Sequence, residues 1–125
     1  MKFGDLPKSL GIQKIECKEM MAYLYLPIKL ANQETFRIEK RVLENFYSLI
    51  VDCIIDFKTE FGKHEFEASY IYLTIKHLFV SPGCDANRPG WHSDGFLTDD
   101  INYIWSSNHP TIFNHSDFNL TPDHI

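Results

Sequence analysis

His92 and Asp94 flank Ser93 in the run Pro89-Gly90-Trp91-His92-Ser93-Asp94-Gly95-Phe96, and their types and spacing suit metal chemistry. On an extended strand, side chains two apart point to the same side, so the imidazole and the carboxylate would stand together while Ser93 faces away. One neutral nitrogen and one carboxylate oxygen, with further positions open, suit Fe(II) or another divalent first-row metal. They supply two members of a facial triad made of two histidines and one carboxylate. The third ligand must come from elsewhere. His109, His115 and His124 lie downstream, and His115 is the best placed of them, because a hairpin returning from Phe113 would bring it toward His92. The plainer alternative for His92 and Asp94 is a surface histidine paired with a neighbouring carboxylate beside a turn. The same spelling recurs at His115-Ser116-Asp117, but two short copies fall below the roughly three repeats a solenoid needs.

The elements that must position these residues can be read from hydrophobic periodicity. Ile12 to Cys17 and Met20 to Leu30 are rich in Ile, Tyr and Leu and predict two early strands. Pro27 cannot donate to a ladder, so the second strand should be broken or lie at an edge. Between about Ile38 and Phe61, Val42, Leu43, Phe46, Leu49, Ile50, Cys53, Ile54 and Phe57 recur at three-and-four spacing, which predicts one long helix ended by Gly62. Ala68 to Val80 alternates as a strand, with Ile71, Leu73, Ile75 and Phe79 on one face and Tyr70, Tyr72, Thr74 and Lys76 on the other. His77 falls on the apolar face, where a hydrogen-bonded core histidine is the expectation. Further strands are predicted around His92, over Ile101 to Ser106, and near Thr111 to Phe113. Strands, then one long helix, then strands indicate an α+β fold with an antiparallel sheet packed against the helix.

A chain of 125 residues predicts a single domain, with strands and helix in 1–67 and a β-rich part in 68–125. Its 44% hydrophobic and 23% charged content fits a globular protein, and ten Phe favour a sheet-rich core. A net charge of -5 argues against nucleic acid as a primary partner, since phosphate neutralisation needs clustered Lys and Arg. Cys17, Cys53 and Cys84 are odd in number and widely spaced, which disfavours a disulfide framework and fits a reducing, cytoplasmic setting. The N-terminal residues lack the apolar run of a signal peptide, and no stretch reaches the roughly 18 to 20 apolar residues of a membrane span. No nucleophile elbow and no phosphate-cradling glycine loop occurs. Trp91 is expected in the core and Arg88 in a salt bridge.

The setting of the His-x-Asp pair carries a resemblance. Pro82-Gly83 and Pro89-Gly90 lead into Trp91-His92, Gly95-Phe96 follows Asp94, and Tyr103-Ile104-Trp105-Ser106-Ser107 precedes Pro110-Thr111. Over roughly Tyr70 to Phe113 the chain resembles the Fe(II)/2-oxoglutarate-dependent oxygenases of the double-stranded β-helix, or jelly-roll, fold. That resemblance implies Fe(II) and 2-oxoglutarate as cofactors, His92 and Asp94 as metal ligands, and a dioxygenase (hydroxylase) reaction. Tyr72, Lys76 and Tyr103 would then be candidates to hydrogen-bond the cosubstrate carboxylate if they face the cavity; ordinary strand surface is the alternative. The pattern departs from the family after Asp94. Only 31 residues follow it, room for two or three strands, and no Arg or Lys occurs after Arg88, so the distal histidine and the basic residue beyond it are not found. The resemblance therefore implies a truncated or split oxygenase, or a degenerate one acting without metal as a small acidic inhibitor or subunit. An unrelated α+β protein with a coincidental His-x-Asp remains the fourth reading. Open strand edges would pair with another chain, so a homodimer or a complex with a second protein is expected.

Overall fold

A computed structural model of the chain describes residues 6–79, 81–83 and 100–107. The chain divides into two compact units, one of Gly11–Ser81 and one of Met1–Leu10 with Pro82–Ile125. The first unit holds all the described secondary structure: strand β1 (Met21–Lys29), helix α1 (Lys40–Phe61), helix α2 (Lys63–Ala68) and strand β2 (Ile71–His77). The α+β class read from the sequence is borne out by an antiparallel β1–β2 pair and the long helix.

Helix α1 begins where Glu39 offers its carbonyl to the amides of Val42 and Leu43 at 3.1 and 3.0 Å. It stops at Gly62, whose amide donates to the Lys58 carbonyl at 2.9 Å while its backbone sits at φ 91 and ψ 161. That conformation is essentially confined to glycine, so the predicted end of the helix has a clear cause. The three-and-four pattern delivers Val42 and Phe46 to the core, with Leu49 and Ile50 packed beside them. Leu43, read as core, is 36% exposed. The apolar stripe is wider than the surface it packs on.

Val42 and Phe46 meet Met21 of β1 and Ile75 of β2, with Ile15, Cys17, Tyr23, Ile38 and Leu73 around them. Each such buried apolar side chain contributes about 1.5–3 kcal/mol. Strand β1 departs from simple alternation for a visible reason. Tyr23 pairs with Ile75 and Leu26 with Leu73, so Leu24 and Tyr25 together oppose Thr74. This bulge shifts the inward parity from Met21 and Tyr23 to Leu26 and Ile28. Tyr25 takes φ 52 there, and its amide donates to Thr74 Oγ1 at 3.1 Å. A second irregularity between Pro27 and Lys29 makes Ile28 the extra residue and returns Lys29 to the inner row, so two consecutive side chains are buried. The disturbance expected from Pro27 is thus a bulge within a continuous strand.

Other boundaries differ from the sequence reading. Residues 12–17 form no strand: they alternate in burial, but no ladder partner is present among the described residues, and Ile12 is 93% exposed. Instead the segment lies along α1, where Ser48 Oγ donates to Gln13 Oε1 at 3.1 Å and Gln13 Nε2 donates to Asp52. The predicted strand over 68–80 is shortened at both ends. Helix α2 takes Ala68, and Phe79 is 84% exposed rather than core. Residues 101–106 are described and carry no strand. The predicted strands around His92 and Thr111 to Phe113 lie outside the described residues.

Candidate functional site

His92, Asp94 and His115, the proposed metal ligands, lie outside the described residues, as do Trp91, Arg88 and Cys84. Among the described residues no group of three or more His, Cys, Asp and Glu side chains converges as a metal site would require. The cosubstrate candidates divide between the two units. Tyr72 and Lys76 stand on the outer face of β2, opposite to the core row, and Tyr72 is 56% exposed. Its ring stacks on Tyr70 with centroids 6.1 Å apart and planes 13° from parallel. Tyr103 belongs to the other unit and is half-buried. A strand turns alternate residues to opposite sides, so Tyr72 and Lys76 share one surface for the same reason that Leu73 and Ile75 share the core.

His77 is half-buried, and its Nδ1 meets the Glu19 backbone carbonyl. A carbonyl only accepts, so Nδ1 carries the proton in this contact. The hydrogen bond expected of this histidine is present, but His77 lies at the end of β2 at the margin of the core rather than within it. Next to it, Arg41 Nε donates to Glu19 Oε2 at 3.1 Å and Tyr23 Oη donates to Glu39 Oε2 at 2.5 Å. The Glu39 hydrogen bond, followed by burial and the Glu39 charge, holds the Tyr23 phenol above its ordinary range, because each disfavours the phenolate. The Glu39 carboxylate is therefore spent on Tyr23 and does not cap α1.

Sequence reasoning missed the most constrained charged residue of the described fold. Lys29 is 1% exposed and lies where β1, α2 and β2 meet. Its Nζ donates to the carbonyls of Leu30, Glu67 and Ser69 at 3.1, 2.9 and 2.7 Å, which matches an ammonium's three donors. It also stands 5.2 Å from the centroid of the Phe66 ring, toward which Lys58 Nζ approaches to 4.6 Å. Phe66 in turn contacts Phe36 and Phe57 at 6.1 and 6.2 Å. Burial pushes the Lys29 ammonium below the usual lysine range, and the Glu67 charge opposes that. The arrangement closes the C-terminal carbonyls of α2 and holds the chain turning into β2. The one available signal was a lysine between Ile28 and Leu30, directly after the strand-disturbing Pro27.

Pro27, Ile28, Lys29, Leu30, Thr35 and Arg37 border a depression of about 160 Å³. This is below the roughly 300–1,000 Å³ of ordinary ligand pockets. With Lys29 already committed to carbonyls, it is not a site of the expected kind. The half-buried Cys53 thiol is pushed up by burial first and then by the Asp52 and Asp56 charges, which makes it a poor nucleophile. No described helix is long and apolar enough to cross a membrane.

No protein family, no curated protein and no solved structure matches this chain.

Proposed function

We propose that this chain is a truncated, split or degenerate relative of the Fe(II)/2-oxoglutarate-dependent oxygenases whose retained chemistry is capture of a divalent metal by His92 and Asp94. The observation that supports this reading is the spacing of those two donors and its setting: Pro82-Gly83 and Pro89-Gly90 before Trp91-His92, and Gly95-Phe96 after Asp94, shortly beyond β2. A neutral imidazole with a carboxylate is a donor set suited to Fe(II). Fe(II) with 2-oxoglutarate supplies oxidising chemistry toward a C–H bond, and His115 or a histidine of another chain would complete the ligand set. Tyr72, Lys76 and Tyr103 remain proposals for the cosubstrate carboxylate.

Anaerobic calorimetric titration of Fe(II), with and without 2-oxoglutarate, into the native chain and into H92A tests this. Binding that tightens with 2-oxoglutarate and disappears in H92A is the expected result. Heats of dilution alone in both proteins would end the metal reading for this chain.

A second reading has its own support. Among the described residues of the two strands, the outer face carries Ala22, Leu24, Tyr25, Pro27, Tyr72, Thr74 and Lys76, with Tyr70 beside them and no carboxylate, in a chain containing 17 Asp and Glu. Leu24 and Tyr25 are 63% and 76% exposed. An aromatic surface cleared of acid in an acidic protein suits a metal-free interaction module, an inhibitor or a subunit. Association that persists in chelator favours it.

A further inference from the structure

Between Gly11 and Met20 the chain crosses the helix–sheet core without joining a helix or a strand. Gln13, Ile15 and Cys17 are half-buried while Lys14, Glu16 and Lys18 are exposed, so alternate side chains face inward. Ile15 and Cys17 pack against the cluster of Met21, Val42, Phe46 and Ile75. Among the described residues, the backbone from Lys14 to Lys18 makes no hydrogen bond. Side chains rather than a ladder therefore hold this segment in place, and its exposed backbone groups are left to water.

The polar fastenings follow one line of α1. Gln13 meets Ser48 and Asp52 at one end, and at the other Glu19 meets Arg41, whose Nη2 also reaches the Met20 carbonyl at 3.4 Å. Arg41, Ser48 and Asp52 are seven and eleven residues apart, spacings that return to the same side of a helix. The segment thus runs antiparallel to α1 along that line, beside the apolar stripe of Val42, Phe46 and Leu49. It starts at Gly11, where φ is 103 and a side chain would meet nothing within 4 Å, and it ends in a bend at Glu19.

We propose that residues 11–20 form a releasable strap that lifts from α1 as a unit while the helix and the β1–β2 pair stay folded. Release takes Ile15 and Cys17 off the core cluster and frees the Arg41, Ser48 and Asp52 line. Segments with few buried apolar contacts and no ladder bonds open well below the free energy of global unfolding. The Arg41–Glu19 pair adds little, since both side chains are about half exposed. Gln13 is the main latch, because it joins the strap to two residues of α1 at once. This device is independent of metal capture by His92 and Asp94.

The test uses the full chain in the presence of a chelator, so that bound metal neither protects a thiol nor rigidifies the chain. Brief trypsin treatment of the native protein should cut after Lys14 or Lys18 of the strap before it cuts after Lys29 of β1 or Lys58 of α1. In Q13A both this cleavage and maleimide modification of Cys17 should speed up by about two- to tenfold, the factor that one ordinary hydrogen bond is worth. Modification of Cys53 on α1, followed in the same molecules by peptide mass spectrometry, should keep its native rate. E19A, at the other end of the strap, should act on Cys17 in the same direction and more weakly. Strap and Lys58 cleavage at equal rates in the native chain overturns the proposal without reliance on any variant. A Q13A chain in which Cys17 is unmoved, or in which Cys53 accelerates by the same factor, overturns it too: the first shows a thiol that is merely accessible, the second a segment that opens only with the core.

Discussion

Replacing Lys29 by methionine tests whether the buried ammonium organises the turn into β2. Methionine keeps most of the apolar stem, so the change isolates the polar head. Three charge-assisted hydrogen bonds disappear, those to the carbonyls of Leu30, Glu67 and Ser69. The Glu67 carbonyl still accepts from the Asn32 amide at 2.7 Å, which leaves the Leu30 and Ser69 carbonyls to lose the ammonium. An acceptor orphaned in the interior costs about 1–3 kcal/mol, giving roughly 2–6 for the two. The ammonium no longer has to be desolvated, and that offsets part of the loss. A net destabilisation of about 3 kcal/mol is expected, a large share of the roughly 5–15 kcal/mol typical of a domain. Urea unfolding measures it: at a slope of about 1–3 kcal/mol per molar, the midpoint should fall by about 1–3 M. K58M is the internal control. Lys58 also approaches the Phe66 ring but is exposed, and loss of such a contact costs about 0.5–1 kcal/mol. If K29M unfolds within about 0.5 kcal/mol of the native chain, or if K58M costs as much, the carbonyl cage is not what stabilises this corner.

Three further outcomes follow from the same packing. V42A removes two methyl groups from a fully buried position at the centre of the helix–sheet core and should cost about 1–3 kcal/mol in urea unfolding. G62A should cost about 1–3 kcal/mol through backbone strain alone, since a methyl there would meet nothing within 4 Å while φ is held at 91. In a spectrophotometric alkaline titration Tyr23 should ionise above the ordinary 10.0, and E39Q should bring it down. The folded chain then keeps a proton that the unfolded chain loses, so stability contributed by Tyr23 falls as pH rises from 10.0 through its folded value, and a Y23F chain should lack that slope.

The helix and its end were legible because their causes are local. Three-and-four spacing of Val42, Phe46, Leu49 and Ile50, followed by a glycine, needs no tertiary information. The face of β2 was legible for the same reason, through period two. What could not be read was pairing. Residues 12–17 alternate as a strand does, yet whether alternation becomes a ladder depends on a partner edge, and here the segment meets Ser48 and Asp52 of α1 instead. The two bulges of β1 were equally out of reach apart from the hint at Pro27. An extra residue is defined only against the strand opposite, and it alone explains why Tyr23 and Leu26 point inward while Leu24 and Tyr25 do not.

The same distinction governs the sites. His92 and Asp94 could be proposed because an imidazole and a carboxylate at strand spacing make a local pattern, whereas a third ligand would be a long-range property and the sequence offered only the ranking of His115 over His109 and His124. Lys29 shows the converse. Its environment is assembled from carbonyls at positions 30, 67 and 69, backbone groups that carry no side-chain signature, so nothing in the spelling of β1 distinguishes it from a surface lysine. A buried cation held by main-chain oxygens depends on the path of the backbone rather than on neighbouring residue types. Substitutions at Glu67 that leave its carbonyl in place should therefore be tolerated far better than any change at Lys29 itself, even though Glu67 supplies one of its acceptors.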